Sequence, residues 1–203
     1  MRVVSLAGPK GSGKNALATL IASALRTHRL TAEEVAFADP MRWACDAIGI
    51  PFHVTRGAKT EVSGHVGTAT GRATLIAIGE TMRGLCPNFW ADHMYNRLDA
   101  IACSDPDALV IVTDTRRENE VDALDAWQRS GPGRLLARLW VTRPGADEDE
   151  VCEASVRARC VTIQNSGTLA DLEVKAAGVA DWLAFKSFSA LLGTGPSGFG
   201  SAT

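Results

Sequence analysis

The sequence predicts an α/β fold in which a parallel sheet is covered by helices on both faces, and three observations carry that prediction. Apolar runs of strand length alternate with stretches of helical periodicity, the pattern of strands joined by crossover helices. Ala108-Leu109-Val110-Ile111-Val112 is an almost unbroken apolar run, as expected of a strand buried on both faces. Finally, Arg2-Val3-Val4-Ser5-Leu6-Ala7 leads directly into Gly8-Pro9-Lys10-Gly11-Ser12-Gly13-Lys14-Asn15 and then a helical pattern. Strand, glycine-rich loop, lysine and helix in that order form a phosphate-binding loop.

The elements follow in chain order. Residues 2–7 read as the first strand and 14–28 as an amphipathic helix with Leu17, Leu20, Ile21, Ala24 and Leu25 on one face. Val35-Ala36-Phe37 reads as a short second strand broken by Asp39-Pro40, and Met41 to Ile48 as a helix. Residues 51–70 carry Gly57, Gly64 and Gly67 with few apolar anchors and read as a mobile connection. Helices are predicted over 72–84 and 88–103, separated near Pro87. The buried strand at 108–112 is followed by a helix over 117–129, a strand over 134–142 ending at Arg143-Pro144-Gly145, a strand over 160–163 and a helix over 168–186. The acidic run Asp147-Glu148-Asp149-Glu150 suits a solvated surface or a lid. No internal repeat is present. The expected organisation is one domain over 1–192, with 51–71 and 143–158 as mobile substrate and lid segments. The Gly/Ser/Thr-rich stretch 193–203 is expected to be a disordered tail.

Bulk properties narrow the function. The chain has 203 residues, enough to bury a substantial core as one domain, and a formal net charge of −2. That balance argues against a general nucleic-acid binder, which would carry a basic excess. The five cysteines, Cys45, Cys86, Cys103, Cys152 and Cys160, form no CxxC pair and read as thiols in a reducing compartment. The four histidines, at 28, 53, 65 and 93, show no metal-ligand spacing, so no zinc site is expected. No apolar stretch approaches the roughly 20 residues that span a bilayer. The N-terminus enters a strand at once, with no signal peptide evident. The expected location is the cytoplasm, with no membrane partner.

The loop itself explains its composition. Glycines allow unusual φ, so that successive N–H groups at Gly11, Ser12 and Gly13 turn inward towards a phosphate. Lys14 reaches the β- and γ-phosphates, and the helix starting there adds its positive dipole end. The residue after the lysine is usually Ser or Thr, whose hydroxyl ligates Mg²⁺. Here it is Asn15, followed by Ala16. The Asn15 carbonyl oxygen can serve a hard cation, or the metal is held mainly through water.

Asp114 follows the buried strand, where a chain with a phosphate loop places a second metal-positioning carboxylate; it could equally cap the next helix. Stabilising a migrating phosphoryl group calls for guanidinium groups at the carboxyl ends of strands, and Arg42, Arg72, Arg116 and Arg143 stand at such positions. Lys10, within the loop, either faces an acceptor phosphate or is solvated. Trp90 either stacks on a base or packs the core, the commoner fate of an aromatic at helical spacing. Asn165-Ser166-Gly167-Thr168 either hugs an adenine or caps the last helix.

Taken together, these blocks resemble the bacteriophage-type deoxynucleoside monophosphate kinases, within the wider P-loop nucleoside monophosphate kinase group. The resemblance runs from the loop to about residue 186. It rests on Gly8–Lys14 with its internal Lys10, on Phe37-Ala38-Asp39-Pro40-Met41-Arg42, on Arg72 with Leu75-Ile76-Ala77-Ile78-Gly79, and on Asn88-Phe89-Trp90. The later blocks are Val110-Ile111-Val112-Thr113-Asp114-Thr115-Arg116-Arg117-Glu118-Asn119-Glu120, Val141-Thr142-Arg143-Pro144-Gly145 and Ile163-Gln164-Asn165-Ser166-Gly167-Thr168.

The resemblance implies a three-layer P-loop NTPase fold. It also implies transfer of the ATP γ-phosphoryl group to a deoxynucleoside 5′-monophosphate with Mg²⁺. By position, Gly11, Ser12, Gly13, Lys14, Asn15 and Ala16 would line the ATP phosphates, with Arg143 and Asn165 on the ATP side. Lys10, Asp39, Met41, Arg42, Arg72 and Trp90 would surround the monophosphate, and Asp114, Thr115 and Arg116 would lie between the nucleotides. Lys14, Arg72, Asp114 and Arg116 are the expected catalytic residues, with Asn15 and Asp114 the metal-associated ones, directly or through water. A phage origin, and so the host cytoplasm, is what the resemblance suggests; a homodimer is compatible with it. The family commonly has Asp then Thr after the loop lysine, and Asn15-Ala16 departs from that. The alternatives are a dephospho-coenzyme A kinase, similar in length and loop, and a non-catalytic nucleotide-binding regulator. The Asp-Thr-Arg and Arg-Pro-Gly blocks are harder to explain in the first, and the arginine complement suits transfer better than the second.

Overall fold

Hydrophobic strands and amphipathic helices sort into three layers in the computed structural model, which describes residues 1–50, 70–146 and 154–185. The elements are β1 (Arg2–Ala7), α1 (Lys14–Thr27), β2 (Glu33–Val35), α2 (Asp39–Ala47), α3 (Gly71–Leu85), α4 (Phe89–Ser104), β3 (Leu109–Thr115), α5 (Glu118–Arg129), β4 (Leu135–Thr142), α6 (Ala154–Ala158), β5 (Val161–Gln164) and α7 (Leu169–Phe185). The strands form one sheet in the order β2-β3-β1-β4-β5, every pairing parallel.

Alternation along the strands assigns the two helical layers. Val4 and Leu6 of β1, Leu109 and Ile111 of β3 and Leu139 and Val141 of β4 are buried with α1 and α7. From α1 that core takes Leu17, Ile21 and Leu25, with Leu20 and Ala24 partly buried beside them, which is the face the sequence indicated. From α7 it takes Leu172, Ala176, Val179, Ala180, Trp182 and Leu183. On the opposite face, Val3, Val110 and Val112 meet Met94 and Leu98 of α4 and Leu124 and Trp127 of α5. A smaller cluster joins Cys45 and Ile50 to Leu75 and Ile78, off the sheet between α2 and α3.

Three local differences have physical causes. The second strand lies at Glu33–Val35, two residues before the expected Val35–Phe37. Beyond Val35 the backbone N–H groups of Ala36, Phe37 and Ala38 are taken by carboxylates and no longer serve a ladder. β3 runs on past Val112 to Thr115, which pairs with Ala7 of β1 while its hydroxyl meets the buried Ser5 hydroxyl at 2.7 Å. A short helix that the sequence did not indicate, α6, lies within the span 143–158 expected as a lid, and its Val156 is fully buried with Ala7, Val121 and Trp140. The expected connection over 51–70 (Thr70 apart), the acidic run 147–150 and the tail 193–203 lie outside the described residues.

Among the described residues no helix is long and apolar enough to cross a membrane. The contrast between strand core and helix surface is measurable. Leu139→Ala, in a fully buried position of β4, is expected to cost about 3–4 kcal/mol of stability. Leu169→Ala, where the side chain is 62% exposed, is expected to cost less than about 0.5 kcal/mol. Urea midpoints for the two variants check this, and equal losses would contradict the assigned core.

Candidate functional site

Because every strand is parallel, all five carboxyl ends reach the same edge of the sheet, where α/β proteins bind ligands. In sheet order that edge carries Ala36–Arg42 after β2, Asp114–Arg117 at the end of β3, the phosphate loop after β1, Arg143–Ala146 after β4 and Asn165–Thr168 after β5.

The loop is shaped by close approaches that only glycine tolerates. Gly8 has φ +135°, and a Cβ there would lie 2.2 Å from the carbonyl oxygen of Val141. Gly13 has φ +97°, and its Cβ would lie 2.3 Å from Nδ2 of Asn165. Asn165 is buried; its side-chain amide donates to the Ser12 carbonyl at 2.9 Å, and its own N–H donates to the Thr142 carbonyl at 2.7 Å. The amide expected near an adenine is thus turned onto the loop, and β5 braces the loop from beneath. The helix-capping alternative for this block falls to Thr168, whose N–H and hydroxyl both meet the Asp171 carboxylate, at 2.7 and 2.8 Å.

Lys14 donates to the carbonyls of Gly8 and Pro9 at 2.6 and 2.7 Å, so its ammonium lies inside the curl of the loop. Ser12 Oγ is buried without a hydrogen-bond partner. Asn15 and Ala16 are exposed on the first turn of α1. Lys10 and Gly11 line a cleft of about 430 Å³ together with Arg143, Pro144, Gly145 and Ala146. Lys10 thus shares a cleft with the segment that follows β4.

On the other side of β1, carboxylates organise the backbone. Asp114 accepts from the N–H of Phe37 at 2.6 Å and of Ala38 at 3.1 Å, one on each oxygen. Burial raises its pKa, opposed by those two N–H groups and by Arg42 and Arg116. Asp39 accepts from the Ala36 N–H at 2.8 Å, from Arg42 at 2.9 Å and from Arg97 at 2.9 Å. Arg97 also pairs with Glu33 at 3.1 Å. Arg42 Nε is buried with no hydrogen-bond partner.

Met41 and Trp90 are interior. Trp90 donates from Nε1 to the Gly79 carbonyl at 3.0 Å, and Met41 Sδ would lie 3.1 Å from a Cβ on Gly79. The two side chains join α2, α3 and α4 behind the site, so packing is the reading of Trp90 that the geometry favours. The Thr115 hydroxyl is committed to Ser5. Arg72 and Arg116 are half-buried, at the start of α3 and just after β3.

Two residues of this region were not singled out as candidates. Arg97 lies in the middle of α4, where a lone arginine has no motif around it. Glu120 sits on the first turn of α5 and is buried; it accepts from the N–H of Arg116 at 2.7 Å and of Arg117 at 3.2 Å, and faces Arg83 at 3.7 Å. Its spacing from the helix start was the available signal, since a glutamate at the third helical position commonly reaches back to the entering backbone. Burial, and then the nearby Asp114 charge, push its pKa up to about 7.

The residues expected to hold Mg²⁺ fit a water-mediated role. Each Asp114 oxygen already accepts a backbone N–H, and Asn15 offers an exposed amide oxygen beside the loop. Among the described residues no cluster of three His, Cys, Asp or Glu could hold a metal unaided.

No protein-family model matches the chain. Among curated proteins, one from Acanthamoeba polyphaga mimivirus named "Putative deoxynucleotide monophosphate kinase" is 26% identical over 174 residues, covering 79% of this chain and 84% of its own. Among solved structures, an unliganded sugar kinase from Janibacter sp. HTCC2649 aligns at 17% identity with a TM-score of 0.42, covering 85% of this chain and 90% of its own. A gluconokinase from Sinorhizobium meliloti 1021 aligns at 18% identity with a TM-score of 0.41, covering 91% and 97%.

Two predictions follow from the geometry. Asn165→Ala removes the brace beneath the loop and is expected to weaken ATP binding about tenfold, by roughly 1.4 kcal/mol; calorimetric titration checks it, and unchanged affinity would contradict the brace. The second concerns Glu120. Its folded-state pKa is raised from 4.5 to about 7, so its contribution to stability is full below the unfolded value and is lost as pH rises through 7. The loss is on the order of 3 kcal/mol. Glu120→Gln removes that ionisation, so the stability of the variant relative to the wild type is expected to grow between about pH 5 and about pH 8. Thermal melts across that range read it, and a pH-independent difference would count against the raised pKa.

Proposed function

We propose that the chain is a P-loop phosphotransferase that passes the ATP γ-phosphoryl group to a deoxynucleoside 5′-monophosphate. The observation that carries the reading is the sheet edge. A phosphate loop on the central strand is flanked on one side by the carboxylate-ordered Asp39–Arg42 and Asp114–Arg116 segments, and on the other by Arg143 and Asn165. Two anionic groups can therefore meet end to end across β1. Ser12 Oγ in the loop and Arg42 Nε beside it on the β2 side are buried without a protein partner, which suits contacts to ligand oxygens at both places. The likeness to the viral protein named as a deoxynucleotide monophosphate kinase supports the choice of acceptor.

In this reading ATP lies along the loop, its phosphates held by the N–H groups of residues 11–16 and by Lys14, which exchanges the Gly8 and Pro9 carbonyls for phosphate oxygens. Lys10 and Arg143 add positive charge on the ATP side, where they share a cleft. The acceptor enters between α2, α3 and the end of β3, against walls fixed by Met41 and Trp90. Arg42, Arg72 and Arg116 neutralise the acceptor phosphate and the migrating group. Asn15 and Asp114 would hold Mg²⁺ through water, and the ion would supply charge neutralisation at the ATP phosphates. The acceptor phosphate is already an anion near neutral pH, so the chain supplies position and charge rather than a base. One domain over 1–192 accommodates both sites, and part of the span 143–158 closes over them to exclude water.

The test is ADP release with Mg²⁺ and ATP in the presence of each deoxynucleoside monophosphate, its ribose counterpart and dephospho-coenzyme A. Turnover stimulated by one or more deoxynucleotides is expected, and stimulation by dephospho-coenzyme A alone would overturn the assignment. Lys14→Ala is expected to reduce the stimulated turnover by roughly 10³-fold or more, an electrostatic loss of about 4 kcal/mol in the barrier.

A further inference from the structure

We propose that Glu120 is a positioning residue for the acceptor side of the reaction: it sets the backbone that presents Arg116 and ties that backbone to α3, which carries Arg72. The inference rests on the kinase reading above and adds to it a residue that touches neither nucleotide.

The geometry is a closed circuit of charges. One carboxylate oxygen of Glu120 accepts from the N–H groups of Arg116 and Arg117, the two residues that follow β3. Its other oxygen faces Arg83, near the end of α3, at 3.7 Å. Arg83 pairs with Glu80 on the same helix at 2.9 Å, and Glu80 pairs with Arg117 at 2.8 Å, which returns the circuit to the turn. The β3–α5 turn and α3 are thus locked together by four side chains from three elements. A glutamate that reaches back to the start of its own helix is ordinary capping. Glu120 goes beyond that in two respects. Its reach extends to Arg116, one residue before the helix N-cap, and it is 3% exposed, so the contact with Arg83 is made away from water. An ionised carboxylate is costly to bury, and the groups facing it (Arg83 and Glu80 from α3, Arg116, Arg117 and Asp114 from the β3 end) do not remove that cost. A costly group at the start of a helix, where a solvated cap would serve, indicates a task other than stability.

That separation makes the inference testable. Loss of Glu120 releases Arg116 and loosens α3, but leaves the phosphate loop and the Asn165 brace untouched. Steady-state kinetics of the full chain are measured with ATP and the preferred deoxynucleotide for the wild type, Glu120→Ala and Glu120→Gln. Glu120→Ala is expected to raise KM for the deoxynucleotide about tenfold and lower kcat about tenfold, with KM for ATP within about twofold of the wild type. Glu120→Gln keeps an oxygen for the two N–H groups but loses the charge facing Arg83, and is expected to fall between the two. Its thermal stability at about pH 8 is measured alongside; a variant at least as stable as the wild type that loses acceptor-dependent turnover is not failing to fold. Equal changes in both KM values, or none, would overturn the positioning role while leaving the kinase reading intact. A wild-type chain that no deoxynucleotide stimulates would overturn the kinase reading, and the inference with it.

Discussion

Parallel pairing of β1 with β3 on one side and β4 on the other is the constraint from which the site follows. A central strand buried on both faces leaves the next residues no route except over the sheet edge, and Gly8 must pass within contact of the Val141 carbonyl to take it. The curl that results is set by neighbouring strands as much as by the loop's own sequence. With the loop fixed at the centre, whatever follows β2 and β3 lies to one side of it and whatever follows β4 and β5 to the other. Two-sidedness, which transfer between two phosphate-bearing molecules demands, is thus a property of strand order before any side chain is considered.

Carboxylates complete what the strands begin. Asp114, Asp39 and Glu120 each accept from backbone N–H groups of irregular segments that no ladder could satisfy. Two segments that would otherwise need solvent, 36–38 and 116–117, are held by three buried or half-buried acids, and each acid faces an arginine. Negative charge therefore lies behind the edge and positive charge at it. Such an arrangement orders guanidinium groups without leaving their charge uncompensated before a phosphate arrives.

Much of this was legible in the sequence, and the limits are instructive. Strand–loop–lysine–helix over residues 2–14 carries its own geometry, because glycine spacing and the lysine each have one physical reason to be there. The apolar run at 109–112 and the face of α1 were readable from periodicity for the same reason. Asp39 and Asp114 stood out by position, yet their partners did not, because a backbone N–H leaves no mark in a sequence. Trp90 was ambiguous between stacking and core in the sequence, because its bond to the Gly79 carbonyl comes from a different helix. Asn165 stood out by its place after a strand, but its amide bond to the Ser12 carbonyl was not legible, because the two residues are 153 positions apart. Arg97 was illegible because its partner Asp39 lies 58 residues away, and the Glu120–Arg83 and Arg117–Glu80 pairs because each spans 37 residues and obeys no local period; only the reach of Glu120 back to the entering backbone had a local signal.

The brace between Asn165 and Ser12 joins residues 153 positions apart. The loop motif is synthesised before β4 and β5, but its support comes from the residue that follows β5. An emerging chain that already contains Gly8–Lys14 has the signature of a nucleotide binder without its fully braced form. The loop-closure entropy of that long-range contact is met only when β4 and β5 have paired. A nucleotide bound as proposed would in this sense report completed folding, and would stabilise the finished sheet in preference to any shorter intermediate.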